Sequence, residues 1–139
     1  MKRTKINIKS VFSKITINHV CMVIAIVIYI INKTLLSKYT SSWIGYVCKC
    51  YLNDMVCPLF FLGLSQLLLT WAGCELKSYG KLLLLGMSSG LVWEYISPII
   101  NPKAVTDPID LICYFIGINI YYLLHKKFTK LLALTLDEC

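Results

Sequence analysis

The sequence predicts an all-α integral membrane protein, built as a bundle of four transmembrane helices. Of its 139 residues, 58% are hydrophobic and the mean hydropathy is +0.70, whereas soluble domains are about 45–50% apolar. The apolar residues gather in four blocks, each close to the ~20 residues that a helix needs to cross a membrane. Because no water satisfies backbone groups at that depth, each block is expected to be helical.

The four blocks give the order of the predicted spans. They are Ile15–Ile31, Met55–Ala72, Leu82–Ile100 and Ile109–Leu124. A basic stretch precedes the first block, but no small-residue cleavage site follows it, so we expect a permanent helix and not a signal peptide. The fourth block is short for a full span and is expected to begin within the headgroup region.

Two further segments are amphipathic and are expected to lie on the membrane surface. Residues 41–54, SSWIGYVCKCYLND, place aromatic side chains at helix-like intervals, which favours an interfacial helix between spans one and two. A partly ordered loop is the alternative. The C-terminal segment begins with basic side chains and continues with an apolar stretch, which is typical of a short amphipathic tail. The predicted organisation is therefore a basic cytoplasmic segment at 1–14, a transmembrane domain at 15–124 and a cytoplasmic tail at 125–139.

Lysine and arginine are distributed unevenly about these spans. Ten of the 14 precede span one, lie between spans two and three, or follow span four, and the other four lie in the two opposite loops. The positive-inside rule then predicts that both termini are cytoplasmic, in the cytoplasmic membrane of a bacterium. A basic rim beside anionic lipid explains the net charge of +7. Since no binding motif accompanies this charge, we expect the lipid bilayer and no nucleic acid as a partner.

Four of the seven acidic residues fall on the predicted outer side. Asp54 begins span two, Asp107 and Asp110 begin span four, and Glu94 lies inside span three, roughly 9 Å below the interface. A structural role as helix N-cap, followed by Pro108, is sufficient for Asp107, and Asp54 permits the same explanation. Since a charged side chain at depth is costly, Glu94 is expected to face the bundle interior and to mark function. The alternative is a protonated carboxyl that only joins helices.

Small and polar residues recur at helical spacing around these acids. In span three they form a stripe that contains a G-x-x-x-G pattern, namely Gly86, Ser89, Gly90, Trp93, Glu94 and Ser97. Span four carries a similar stripe of Asp110, Tyr114, Gly117 and Tyr121. Small residues such as Gly86, Gly90 and Gly117 let helices pack closely, within one chain or in a homo-oligomer.

The convergence of these stripes predicts a polar pocket that opens to the outer side. Pro98 and Pro102 are expected to end span three soon after Glu94 and to leave backbone carbonyls near the acids. The predicted ligand-binding residues are Glu94, Asp110, Asp54, Asp107, Asn53 and Tyr114. This oxygen-rich set suits Mg²⁺, Ca²⁺ or Mn²⁺, with the four carboxylates as metal ligands. The same set could hold an ammonium headgroup or move protons.

Two stretches of the sequence resemble a known family. The stretch YLNDMVCP, followed by WEYISPIINPKAVTDPIDLICYFIG, resembles short bacterial four-span proteins that are often called magnesium citrate secondary transporters. The resemblance covers roughly residues 50–124. The matching residues are Asn53, Asp54, Pro58, Glu94, Pro98, Asp107, Asp110, Tyr114 and Gly117. It implies a membrane protein with a transporter-like role.

A more distant similarity is to VanZ-like membrane proteins, which are linked to glycopeptide resistance. Glu94 matches their acid near a span end, and Asp110 and Gly117 keep their spacing. Ser97 stands where that family tends to have Gln, Tyr114 stands where it has Asn, and no Arg precedes Asp110. This similarity implies a shared ancestral fold.

These observations lead to three functional hypotheses. The first is a non-enzymatic membrane protein whose acidic pocket, centred on Glu94 and Asp110, binds a divalent cation or a cationic headgroup, with transport as one use. The second is a metal-dependent enzyme acting on a lipid-linked or envelope substrate. The third is a pore-forming or partner-regulating protein in which the acids only cap and join helices. Under the third, Glu94→Gln leaves function intact, whereas bulky changes at Gly86 or Gly90 abolish it.

Overall fold

The computed structural model describes four long α-helices and, within residues 8–36, 43–76, 78–101 and 106–137, no β-strand. They are α1 (Ile8–Ile31), α2 (Trp43–Trp71), α3 (Tyr79–Ile100) and α4 (Pro108–Asp137). All four are long and apolar enough to cross a membrane. The prediction of an all-α bundle of four membrane-spanning helices is therefore confirmed.

Apolar side chains cover much of the outside of this bundle. Large exposed examples occur on every helix and include Val23, Leu68, Leu84, Ile99 and Leu123. A soluble monomer rarely presents so much contiguous apolar surface to solvent. Exposed apolar faces on helices of this length are what a bilayer requires, so the chain is a multi-pass membrane protein.

Helices α2 and α4 form the central pair of the bundle. Helix α1 packs mainly on α2, α3 packs mainly on α4, and α2 and α3 touch each other much less. All four helices contribute to one buried core, which comprises Ile17, Cys21, Ala25, Val56, Leu59, Leu62, Leu82, Ile118 and Tyr121. The two outer helices are thus held by the central pair.

The helices extend beyond the apolar blocks that predict them. Helix α1 continues into a π-helical turn, Asn32–Leu36. Helix α2 has 29 residues, which makes it about 43 Å long. The interfacial helix predicted at 41–54 is therefore not a separate element, because residues from Trp43 onward are the first turns of α2 and only 41–42 lie outside the described residues. A length above the ~30 Å of hydrocarbon lets this polar start reach the headgroup region without a break.

The C-terminal half differs from expectation in the same way. Helix α4 runs to Asp137, so the described residues from His125 onward continue the same helix instead of forming a separate one. Pro98 lies inside α3, and the helix ends at Ile100, so the predicted end of span three soon after Glu94 is confirmed. A proline removes one backbone hydrogen bond but does not stop a helix whose other groups stay paired. Pro102 lies outside the described residues.

One buried hydrogen bond joins α4 to α1 deep in the bundle. The Tyr121 hydroxyl donates to Asn18 Oδ1 at 2.9 Å, and the two side chains are 0% and 1% exposed. Neither polar group has access to solvent, so each depends on the other.

Tyr121→Phe is expected to lower the free energy of unfolding by about 1 kcal/mol, because the Asn18 oxygen loses its donor. Adding Asn18→Leu is expected to restore part of the loss, since a pair of apolar groups leaves nothing unsatisfied. Denaturant unfolding of the detergent-solubilised single and double variants measures both effects. A double variant whose loss equals the sum of the two single losses would show that the bond does not couple these helices.

Candidate functional site

The four predicted acids lie toward the same end of the bundle, here called the acidic end. Glu94 is buried, with 5% of its surface exposed. Asp54, Asp107 and Asp110 are half-buried. The acidic side chains therefore line the seam between helices instead of facing outward from the helix tips.

Glu94 fastens the end of α3 to the segment that leads into α4. Its Oε1 accepts a hydrogen bond from the backbone N–H of Asp107. Its backbone carbonyl accepts one from the Thr106 hydroxyl at 3.3 Å. That carbonyl is available because Pro98, four residues later in α3, has no N–H to donate. Glu94 therefore has a structural role, because it connects α3 to the start of α4.

Asp107 begins α4 in the manner that the sequence predicts. Its Oδ1 accepts a hydrogen bond from the backbone N–H of Ile109 at 2.9 Å, which is the geometry of a helix N-cap. Its Oδ2 accepts a hydrogen bond from the Tyr51 hydroxyl of α2 at 3.3 Å. The N-cap prediction is confirmed. The hydrogen bond from Tyr51, which connects α2 to Asp107, was not predicted from the sequence.

Asp54 is the corresponding group on α2. The Tyr114 hydroxyl of α4 donates to Asp54 Oδ1 at 3.3 Å. The Tyr114 ring lies against Gly90 of α3, where an added Cβ would be 2.7 Å from the ring atom Cδ2. Pro58 follows Asp54 by four residues inside α2, so it cannot donate to the Asp54 carbonyl. Both interior prolines thus release the backbone carbonyl of an acidic residue.

Negative charge is concentrated at this end of the bundle. Within the described part of the chain, the charged groups that act on Asp110 are Asp54, Glu94 and Asp107, and those that act on Asp54 are Glu94 and Asp107. Carboxylates brought together at the edge of an apolar bundle repel one another unless a proton or a cation joins them. The structure therefore brings the four predicted acids into one electrostatic group.

This group is not a ready-made cage for a metal ion. Within the described residues, no three His, Cys, Asp or Glu side chains are close enough to share one ion. Several carboxylate oxygens are also occupied by the hydrogen bonds described above. Any bare cation bound here would use fewer carboxylates than the four that the sequence analysis proposed, together with carbonyl, amide or water oxygens.

A cavity of about 340 Å³ adjoins Asp54 between α1 and α2, with one wall from α3. Its polar lining is Asn53 and Asp54, and Tyr29, Phe60 and Trp93 contribute aromatic rings. The remaining lining is apolar or thiol, from Ala25, Ile26, Val56 and Cys57. A carboxylate beside aromatic rings in an apolar cavity offers charge and π-electron density to the same guest.

Asn32, in the π-helical turn after α1, supports the adjoining residue Asn53. Its Nδ2 donates to Asn53 Oδ1 at 2.9 Å and to the backbone carbonyl of Cys48 at 2.8 Å. Its own Oδ1 is buried and, within the described ranges, has no hydrogen-bond partner. A buried carbonyl oxygen without a donor is uncommon and costs free energy. Asn32 was not among the predicted site residues, although an Asn at the end of an apolar run is a visible signal for it.

The three predicted packing glycines all lie at close helix contacts within the chain. A Cβ at Gly86 would be 2.6 Å from the Ile118 side chain, and one at Gly117 would be 2.1 Å from the backbone oxygen of Met55. Gly86 and Gly90 therefore receive side chains of α4, and Gly117 receives the backbone of α2. The chain itself uses this small-residue stripe, without the need for a second copy.

Comparison of the chain with protein-family models, with curated proteins and with solved structures gave no match in any of the three. The resemblances to the two membrane-protein families therefore stay predictions.

Proposed function

We propose that this membrane protein binds a cationic group at its acidic end. One observation carries the proposal: among the described residues, the charged groups that act on Asp54 and Asp110 are all carboxylates. A cation that enters this group relieves repulsion that the folded chain otherwise bears alone. Protonation of a carboxylate would also reduce this repulsion, so it competes with cation binding. Binding is favoured where the cation also gains contacts in the adjoining cavity.

The cavity beside Asp54 favours an ammonium group as the cation. Its three aromatic rings can contact a poorly hydrated organic cation through their faces. A strongly hydrated ion such as Mg²⁺ gains little from aromatic walls and retains its water. A volume of about 340 Å³ is ample for an amine headgroup. The substrate class that fits best is therefore a primary or quaternary ammonium, carried by a lipid or free in solution.

A divalent cation is the second candidate, and the two prolines favour it. Pro58 and Pro98 release the backbone carbonyls of Asp54 and Glu94, and the Thr106 hydroxyl already uses the second of these. Carbonyl and carboxylate oxygens are the ligands that Ca²⁺ prefers, with water completing the coordination. Either binding site could serve a transporter.

Ligand titration of the detergent-purified protein tests the proposal directly. We expect saturable binding of ethanolamine or phosphatidylethanolamine by native mass spectrometry, weakened about tenfold by Asp54→Asn and by Asp110→Asn. Glu75→Gln, which removes a carboxylate near the opposite end, is the matched control and is expected to bind normally. Comparing the free amine with the lipid distinguishes the two sources of the headgroup.

Parallel titrations with Mg²⁺ and Ca²⁺ separate the two candidates. Trp93→Leu is expected to weaken ammonium binding about tenfold and to leave divalent-ion binding unchanged, because only the ammonium contacts the ring face. Divalent binding that is lost in the Asp54 and Asp110 variants, with no amine binding, would select the second candidate. Absence of binding by both classes would refute the proposal. Metal-dependent turnover of lipid extracts would instead support the enzyme hypothesis.

A further inference from the structure

A second cavity lies at the opposite end of the bundle, where α4 carries its lysines; this end is called the basic end. The cavity has a volume of about 460 Å³ and takes lining residues from all four helices and from the loop between α2 and α3. Its charged or titratable lining is Glu75, His125, Lys126 and Lys130. It shares no lining residue with the cavity at the acidic end.

Two buried polar side chains line this cavity and are held in place by hydrogen bonds. Asn18 is 1% exposed and is held by Tyr121. Gln66 is 5% exposed and makes two hydrogen bonds to the backbone of Leu76. Its Nε2 donates to the Leu76 carbonyl at 2.9 Å, and its Oε1 accepts from the Leu76 N–H at 3.3 Å. These bonds hold Leu76 in a defined position at the cavity.

Charge and depth together indicate the chemistry of the occupant. Two lysines outweigh the one glutamate among the lining residues. Lys126 follows the first residue of α4 by 18 positions, which is about 27 Å along a helix and close to the thickness of the hydrocarbon core. The lysines therefore lie at headgroup level when α4 spans the bilayer.

The apolar part of the same cavity completes the match to a lipid. Leu76, Leu82 and Tyr122 line it beside the charged groups. The Tyr122 ring is supported by the Tyr79 ring, with a centroid distance of 4.9 Å. A free anion gains nothing from these side chains, whereas an acyl or glycerol portion does. We propose that the basic end holds a specific site for a phosphate-bearing anionic lipid, with Lys126 and Lys130 as its phosphate-binding residues.

The matched control is provided by the chain itself. Lys127 lies between the two lysines in sequence and is equally exposed, but it does not line the cavity. A diffuse attraction of the basic end to anionic lipid treats all three lysines alike. A site in the cavity distinguishes Lys126 and Lys130 from Lys127.

The test is native mass spectrometry of the full chain in neutral detergent, titrated with phosphatidylglycerol. We expect one phosphatidylglycerol to bind saturably. Its affinity is expected to fall about fivefold in Lys126→Gln and in Lys130→Gln, and less than twofold in Lys127→Gln. Phosphatidylcholine is expected to give no saturable binding. Since all three side chains are exposed, the thermal midpoint in lipid-free detergent is expected to stay unchanged and to report any misfolded variant.

Equal weakening by all three substitutions, or by none, would overturn the proposal in favour of diffuse attraction. Inorganic phosphate or glycerol phosphate that competes as strongly as the lipid would overturn it in favour of a free anion. The acidic-end variants Asp54→Asn and Asp110→Asn are expected to bind phosphatidylglycerol normally. The proposed lipid site is therefore tested independently of the cation site.

Discussion

Replacing Gly117 with alanine is expected to lower the free energy of unfolding by about 3 kcal/mol. The added Cβ would lie 2.1 Å from the backbone oxygen of Met55 and 3.0 Å from the Pro58 ring. Backbone atoms cannot rotate away as a flexible side chain can, so α2 and α4 must separate. These two helices are the central pair of the bundle, and their separation also loosens the Tyr114–Asp54 contact. Denaturant unfolding of the purified protein in detergent measures the loss.

Gly80→Ala is the matched control for this substitution. Gly80 also lies in a helix, but among the described atoms an added Cβ would approach just the Ser78 hydroxyl oxygen, at 3.8 Å. Its replacement is expected to leave stability unchanged or slightly raised, because alanine favours helix more than glycine does. Equal stability of the Gly117 and Gly80 variants would show that α2 and α4 do not approach as closely as described.

Glu94→Leu is expected to destabilise the acidic end by about 2 kcal/mol. The substitution removes the acceptor of the Asp107 backbone N–H, at the residue that caps α4. That N–H then lacks a partner in a half-buried position. We expect faster hydrogen exchange at Asp107 and at the first turn of α4, together with a lower unfolding midpoint. Normal exchange there would show that the Glu94 hydrogen bond does not hold the segment.

Glu94→Gln separates the structural role of this side chain from its charge. The amide oxygen of glutamine can still accept the Asp107 N–H, so stability is expected to stay within about 1 kcal/mol of the original. The negative charge is lost, and cation binding is expected to weaken several-fold while the fold persists. Unchanged cation binding in this variant would leave Glu94 as a helix-joining residue and would place the site at Asp54 and Asp110 alone.

Much of the fold could be predicted from the sequence because membrane helices are specified locally. Each apolar block needed only its own length and composition to be assigned, since its backbone must be satisfied within the segment. The cap at Asp107 was equally local, because it depends on a side chain and an N–H two residues apart. Helix ends were less predictable, since polar residues from Trp43 onward continue α2 without a change of backbone conformation.

The candidate site was only partly predictable. Topology alone indicated that Asp54, Glu94, Asp107 and Asp110 lie toward one end, because alternating spans bring these positions to the same side. The partners of these acids were not predictable, since they join residues far apart in the chain. The Tyr51–Asp107 and Asn32–Asn53 hydrogen bonds depend on the rotation and depth of two helices at once. The cavity at the basic end is also assembled from every helix and leaves no local pattern.

By itself, the sequence determined that this chain forms four helices suited to a membrane, and it predicted four of the seven acids at one end and ten of the 14 basic residues at the other. These properties follow from hydropathy, helix length and alternation of direction, which need no knowledge of packing. Only the tertiary structure decided which carboxylate oxygens are already bonded, that Gly86, Gly90 and Gly117 pack within the chain, and where the two cavities lie. Those properties depend on contacts between distant helices, and a contact at 3 Å is set by helix rotation and close packing that local patterns do not encode.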